Sequence, residues 1–456
     1  MTESVYTLLI VESPVMAGII QNVCPSSVYV LATGGYCWQP EYDPLKHRLK
    51  AVADPEKSAI RKELKEQAQW ANSVIIAADS DPAGDFITWS IATYLKKPGM
   101  KRTFLQSLSK TGIIEMLNES REFDATILET RLLKSFMIRQ EWKRSRMVPD
   151  FQLSGLISIF GHAKTYRHFL DENGTLFKCS SPLNMAPDEW IPVITDASND
   201  YYCIGKPLST FDLLGKIVSN HLAVSYQEAQ DLLQELFRTK LPFSDESLIS
   251  YPRTGAKAFY SETWNHIRQQ YIRFGSQNEL KPVFMQEIAD TNTPHESIHP
   301  INLALTPDNI SGELSGSLGK LYRLIYEHTR TSITMPVKCK QVFTNQLQSG
   351  VYFYSADGRA IPESGLSLRP VYTTSDLGLL LYDLGISRPS GFGKDLDDWE
   401  SRGWIVIEKD IVTPGEHVLK RFNHAESLFN KLKKLNLFTD SDTFSDIETV
   451  KRIISS

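Results

Sequence analysis

Apolar and polar positions follow two different periods along this chain. Val5-Tyr-Thr-Leu-Leu-Ile-Val11 and Ser73-Val-Ile-Ile-Ala-Ala78 are almost unbroken apolar runs. Runs of that length predict strands buried on both faces of a parallel sheet. The first run ends in Glu12-Ser13-Pro14. Ser13 is a helix cap and Pro14 a favoured first helical residue, so a helix should follow. The second run ends in Asp79-Ser-Asp81-Pro-Ala-Gly84-Asp85, before a helical pattern over Phe86–Leu95. A helical period returns over Thr130–Met147. It recurs from Thr210 to Phe237, where Leu213, Leu214, Ile217, Val218 and Leu222 recur at helical spacing and Ser225 caps a helix starting at Gln227. Strand character marks Trp190–Ile194, Tyr201–Ile204, Cys339–Phe343 and Gly350–Tyr354, and Leu428–Leu437 reads as an amphipathic helix. Between these, the short run Leu248-Ile249 is broken by Pro252 and Gly255. A strand should end there and leave Ser250, Tyr251 and Arg253 in a loop.

Candidate chemistry gathers at these predicted ends. Glu12 sits at the carboxyl end of a strand, where open α/β sheets place their sites. Asp79 and Asp81 lie two residues apart on another such end. Three carboxylates from two strand ends make a hard oxygen site that suits Mg²⁺. A tyrosine hydroxyl, with a pKa of about 10, is a weak nucleophile at neutral pH. Beside a guanidinium it can attack a phosphodiester and leave a covalent phosphotyrosine. The planar fork of Arg253 would hold the phosphate oxygens. Within Thr130–Met147, Arg131, Lys134, Arg139, Lys143, Arg144 and Arg146 meet only Glu141 as an opposing charge. Arg139, Lys143 and Arg146 share a face at i, i+4 and i+7, which reads either as a phosphate track or as a solvated basic face.

Composition narrows the picture. A length of 456 residues suggests about three or four domains. The net charge of −5 does not suggest a nucleic-acid binder, although a local basic groove on an acidic body serves equally well. The five cysteines are scattered, with no C-x-x-C pair. That excludes a zinc ribbon and a disulfide framework, and fits a reducing cytosol. No apolar stretch reaches the roughly eighteen residues of a transmembrane helix, and no basic region precedes Leu8 as in a secretory signal. No G-x-x-x-x-G-K-[ST] loop is present, so no ATP is implied.

In combination these stretches resemble the type IA DNA topoisomerases. Glu12 with Asp79-Ser-Asp81 resembles the TOPRIM fold, and Leu9-Ile-Val-Glu12-Ser-Pro14 resembles that family's opening motif. Ile249-Ser-Tyr251-Pro-Arg253-Thr254 matches its active-site tyrosine motif closely, and Pro294-His295-Glu296-Ser-Ile298-His-Pro300 is similar to its A-H-E-A-I-x-P stretch. Tyr372-Thr-Thr-Ser, Leu384-Gly-Ile-Ser-Arg388-Pro-Ser390 and Trp399-Glu-Ser-Arg402-Gly-Trp404 look like its late segment. Gly161-His162-Ala-Lys164-Thr165 sits where the family has G-R-V-Q-T. The motifs occur in family order from about residue 5 to about residue 410.

The resemblance implies a multidomain fold of mixed α/β, α and β parts, closed into a toroid. It places a TOPRIM domain at 1–125 and helical support domains at 126–175 and 371–456. A reduced β-rich arch is expected at 176–209 and 331–370, and a helical domain carrying the tyrosine at 210–330. The implied activity is ATP-independent, Mg²⁺-dependent strand passage through a 5′-phosphotyrosine on Tyr251. Arg253, His295, Glu296 and Glu12 would assist. Glu12, Asp79 and Asp81 would hold the metal, and no zinc is expected. Arg139, Lys143, Arg146, His162, Lys164 and Arg388 would contact the strand. The implied substrates are single-stranded DNA and negatively supercoiled or catenated DNA. A cytoplasmic monomer, nucleoid-associated if bacterial, is expected, with no membrane, and with room for a protein partner that supplies the absent C-terminal DNA-binding tail.

Four positions depart from the family. Met16 stands where the family has a lysine four residues after the strand-end Glu. In D-x-D-R-E-G-E, Pro82 and Ala83 replace the Arg and the first Glu, and Asp85 replaces the last Glu. These losses motivate an alternative, a catalytically degenerate single-strand-binding protein on the same scaffold. Another TOPRIM enzyme, a nuclease or primase, would not need the Tyr-Pro-Arg-Thr loop.

Overall fold

The computed structural model describes residues 6–43, 48–79, 82–104, 110–143, 148–186, 189–203, 207–244, 246–273, 295–334, 337–343, 353–355 and 366–435. Asp81 and Arg146 of the candidate sites, and Pro294 of the His295 stretch, lie outside them. The chain divides into two compact units, one mainly Met1–Pro149 and the other Asp150–Thr239 with Leu248–Lys433.

In the first unit the two apolar runs form neighbouring parallel strands, as their composition requires. The strands are β1 (Thr7–Val11), β2 (Val28–Ala32), β3 (Trp38–Asp43), β4 (Arg48–Ala53), β5 (Ser73–Ala77), β6 (Lys101–Thr103) and β7 (Arg121–Glu122). The sheet order is β2-β1-β5-β6-β7, with β3 and β4 as a separate hairpin. β1 runs parallel to β2 and to β5, with Val11 opposite Ala77. The helices are α1 (Pro14–Val23), α2 (Ser58–Trp70), α3 (Pro82–Leu95), α4 (Lys110–Asn118) and α5 (Ala125–Lys143). Leu8, Ile10, Val74 and Ile76 of the sheet join Phe86 and Trp89 of α3 and Leu128, Leu132 and Leu133 of α5 in one core. α3 begins at Pro82, four residues before the predicted Phe86, because proline suits a first helical turn.

The second unit combines helices with a large antiparallel sheet. Its elements are α6 (Phe151–Gly161), β8 (Thr165–Asp171), β9 (Leu176–Asn184), β10 (Ile191–Cys203), α7 (Thr210–Ser219), α8 (Tyr226–Arg238), α9 (Ser261–Arg273) and α10 (Gly316–Ile333). They continue with β11 (Val337–Phe343), β12 (Phe353–Ser355), β13 (Leu366–Thr373), α11 (Thr374–Asp383), α12 (Phe392–Ser401), β14 (Ile405–Glu408), β15 (Ile411–Pro414), α13 (Glu416–Leu419) and α14 (Ala425–Lys434). The sheet order is β10-β11-β12-β9-β8-β13-β15-β14. β10 pairs with β13 as well, so six strands close on themselves. Closure removes exposed edges, which is how short strands avoid pairing with other chains. The two short runs predicted at Trp190 and Tyr201 are one strand, β10, irregular between Thr195 and Asp200. The sheet also takes in β8, β14 and β15, beyond the two stretches that read as β-rich in the sequence.

Candidate active site

The carboxylates of the first unit stand at the ends of adjacent parallel strands. Glu12 follows β1 and Asp79 follows β5, one residue further on than Ala78. Both are half-buried. The Glu12 carbonyl accepts from the Gly34 amide at 2.8 Å, tying the β1 end to the loop after β2. Around Asp79 the chain turns sharply. A Cβ on Gly84 would lie 1.9 Å from the Asp79 carbonyl oxygen, so no other residue fits there. Arg102 braces the same turn. It donates to Asp85 Oδ1 at 2.5 Å and to the Asp79 carbonyl at 3.1 Å. Asp85 is thus spent on an internal ion pair. Asp81, the third carboxylate of the expected metal set, lies outside the described residues. Among the described residues no three acidic, His or Cys side chains form a metal-binding group. The donors that remain, Glu12 and Asp79, are hard oxygens of the kind Mg²⁺ takes.

Met16 fills a core position. It is 8% exposed, one turn into α1, and points with Ile20 and Val23 to the buried face. A thioether packs there at no polar cost, whereas an ammonium must be desolvated. Met16→Lys is therefore expected to lower stability by about 1–3 kcal/mol, without speeding cleavage. Thermal melting and single-turnover cleavage, measured together, check this. A faster variant of unchanged stability would place the lysine head outside the core.

In the second unit the tyrosine loop is held on three sides. Leu248–Ser250 runs against His299–Ile301: the Ser250 amide donates to the His299 carbonyl at 2.8 Å, and the His299 amide donates to Ser250 Oγ at 3.0 Å. Ser250 Oγ also donates to the Ser297 carbonyl at 3.2 Å. The turn after Tyr251 closes around one side chain, Thr210, at the start of α7. Thr210 Oγ1 donates to the Pro252 carbonyl at 2.6 Å and accepts from the Thr254 amide at 2.8 Å. The Thr210 amide donates to the Thr254 carbonyl at 2.8 Å. Just beyond, Lys257 pairs with Asp212 at 2.7 Å. Asp212 also accepts from Ser209 Oγ and Ser375 Oγ, both at 2.6 Å. Its carboxyl is held well below the usual range: burial opposes this, but the Lys257 ammonium and these hydrogen bonds outweigh it. Thr210 and Asp212 escaped the sequence reading. Ser209-x-x-Asp212 before an apolar run is a capping-box signature that would have marked Asp212.

These contacts fix the backbone on both sides of Tyr251. It is 7% exposed, its ring 4.5 Å from the His295 ring and edge-on to Phe237 of α8 at 5.7 Å. Burial pushes the His295 imidazole down to about 4, so it is neutral at pH 7. Glu296 points elsewhere. Its carboxylate accepts from the Tyr260 amide at 2.9 Å and from Thr263 Oγ1 at 2.8 Å, which ties it to the start of α9. Arg253 is half-buried and lines a cleft against α8.

The expected strand-contacting residues are spread over both units. Arg139 and Lys143 are exposed on α5, one turn apart. Lys134, another basic residue of the helix, is buried. A long side chain can pack its stem while its head finds a partner. His162 caps the end of α6 with its ring 4.7 Å from that of Phe429, and Lys164 next to it is exposed. Arg388 is half-buried in the loop between α11 and α12. If α5 tracks phosphates, replacing Arg139 and Lys143 with Gln flattens the log–log salt dependence of single-strand binding by about 1.4, at about 0.7 per phosphate. Anisotropy titrations across salt measure this, and an unchanged slope returns α5 to a solvated face.

A parallel sheet with acidic strand ends marks the first unit as a TOPRIM-type domain, and the second unit carries Tyr251 and Arg253 on one pinned loop. Residues 7–109 match the family model described as Toprim domain, and residues 198–416 the one described as DNA topoisomerase. DNA topoisomerase 1 of Mycoplasma genitalium is 22% identical over 454 residues, covering 76% of this chain but 62% of that protein. DNA topoisomerase 1 of Campylobacter jejuni is 23% identical over 530 residues, covering 97% of this chain and 74% of that one. Full-length topoisomerase I from Thermotoga maritima shares the fold, with a TM-score of 0.64 at 16% identity over 98% of this chain and 88% of that one. Together the two family matches and the topoisomerase relatives support a type IA topoisomerase. No helix among the described residues is long and apolar enough to cross a membrane.

Proposed function

We propose that the chain cleaves one DNA strand through Tyr251, passes a strand and religates, without ATP. The observation that carries this reading is the pinned loop. Thr210 and the Ser250–His299 contacts hold Tyr251 and Arg253 in a fixed relation, with the tyrosine ring against His295. In the step proposed, Tyr251 Oη attacks phosphorus and the bond to the 3′ oxygen breaks. The hydroxyl proton is lost and the leaving 3′ oxygen gains one, a transfer we assign to Glu12. The tyrosyl ester keeps the bond energy for religation. Arg253 binds the phosphoryl oxygens as charge develops on them. Neutral His295 orients the tyrosine ring. Glu296, bonded to α9, supports the His295 segment rather than the reacting atoms. Glu12 and Asp79, with Asp81, would hold Mg²⁺, which supplies positive charge to position the strand ends. Single-stranded segments of supercoiled or catenated DNA in the cytoplasm are the substrates this chemistry fits, and a monomer suffices for it.

The test is covalent capture. The chain is mixed with labelled single-stranded DNA and denatured, and a labelled protein band is scored. A band with strand passage on plasmid supports the reading. Binding without a band assigns the chain instead to the degenerate single-strand binders that Met16 and Ala83 bring to mind.

A further inference from the structure

The cleft beside Arg253 has a volume of about 400 Å³. That lies near the lower end of the roughly 300–1,000 Å³ typical of small-ligand pockets. Apart from Arg253, its walls come from α8 and the residue after it: Gln230, Asp231, Gln234, Glu235 and Arg238 line it. α8 is sharply two-sided. Ala229, Leu233, Leu236 and Phe237 are buried, and Phe237 meets the Tyr251 ring. One helix therefore packs the tyrosine with its apolar face and builds the cleft with its polar one.

The cleft has a fixed floor and available walls. Gln230 accepts from the Gly393 amide at 2.9 Å and donates to the Ser390 carbonyl, so its amide is committed. Asp231 Oδ1 accepts from Gln227 at 2.9 Å, which leaves the other carboxylate oxygen for a ligand. Among the described residues, no intramolecular hydrogen bond or ion pair engages the side chains of Gln234, Glu235 or Arg238. A wall with two carboxylates, an amide and a guanidinium is wrong for a chain of phosphates alone. It suits the edge of a nucleobase, since carboxylates accept from amino groups, Gln pairs bidentately with adenine and Arg with guanine. Thymine offers carbonyl oxygens and no amino group, and two carboxylates meet those unfavourably.

We propose that this cleft reads the base of the nucleotide that becomes joined to Tyr251. It selects bases bearing an exocyclic amino group over thymine. The inference rests on the proposed cleavage through Tyr251 and names a determinant of its sequence preference. Arg253 would link the two roles, holding the phosphate while the base of the same nucleotide enters the cleft.

The experiment is single-turnover adduct formation with oligonucleotides differing only in the nucleotide 3′ to the scissile phosphate. The full chain should favour cytosine, adenine or guanine there over thymine by about tenfold, the lower end of what one good base contact gives. The double variant Asp231→Asn with Glu235→Gln offers amide donors to thymine and should bring that ratio close to one. Both positions are exposed on α8, and a melting curve confirms the fold. Adduct formation with no base dependence at that nucleotide overturns the inference, as does a double variant that keeps the wild-type ratio. No adduct from any oligonucleotide sinks the reading of Tyr251 itself, and the base preference with it.

Discussion

Tyr251→Phe is expected to abolish covalent capture of single-stranded DNA while leaving affinity for the strand unchanged. The ring would keep its place, since its contacts with His295 and Phe237 are made by ring atoms and the site is buried. Phenylalanine leaves the backbone bonds to Thr210 and His299 intact. Only the attacking oxygen is lost. Deleting a covalent nucleophile costs on the order of 10⁶ in rate in well-studied hydrolases, which places the variant below detection on a denaturing gel. Fluorescence anisotropy on the same oligonucleotide reports binding. An adduct formed by Tyr251→Phe would assign the nucleophile to another residue.

Much of this arrangement was legible in the sequence where the signal was local. Two almost unbroken apolar runs bounded by turn residues read as strands buried on both faces, and their ends locate Glu12 and Asp79. Pro252 and Gly255 break the chain after Tyr251 for equally local reasons. The unread parts depend on contacts distant in sequence. Thr210 lies more than forty residues before the turn it holds, and nothing in its neighbours announces that its hydroxyl will bridge Pro252 and Thr254. Met16 was legible as a lost cation but not as a core residue, because burial depends on which helix face meets the sheet.

Glu296 illustrates the same limit from the other side. A His-Glu pair beside a tyrosine motif invites a catalytic reading of both residues. In the fold they part: the imidazole of His295 turns to Tyr251, while Glu296 turns to the first turn of α9. Adjacent residues on an extended segment point to opposite sides.

Arg253 carries the second large effect. Since His295 is neutral at pH 7, it adds no positive charge near the tyrosine, and Arg253 is the cation of the tyrosine loop itself. Arg253→Ala should slow adduct formation by about 10²–10³, the cost of removing one preorganised donor to a developing oxyanion. Arg253→Lys should recover only part of that, because an ammonium cannot make the bidentate contact of a planar fork. The pH profile separates the two side chains. A histidine pushed down to about 4 stays neutral from pH 8 to pH 5, so the wild-type rate should show no step from His295 across that range. Stability behaves differently. Below the unfolded value of about 6.5 the unfolded chain takes up a proton that the folded protein refuses, so His295 erodes stability as the pH falls towards 4. Single-turnover rates and melting temperatures from pH 5 to pH 8, for wild type and both Arg253 variants, test this together. A wild-type rate that rises as the pH falls through 6.5 would mean that protonated His295 supplies the charge, and the loss in Arg253→Ala would then be smaller at low pH than at high.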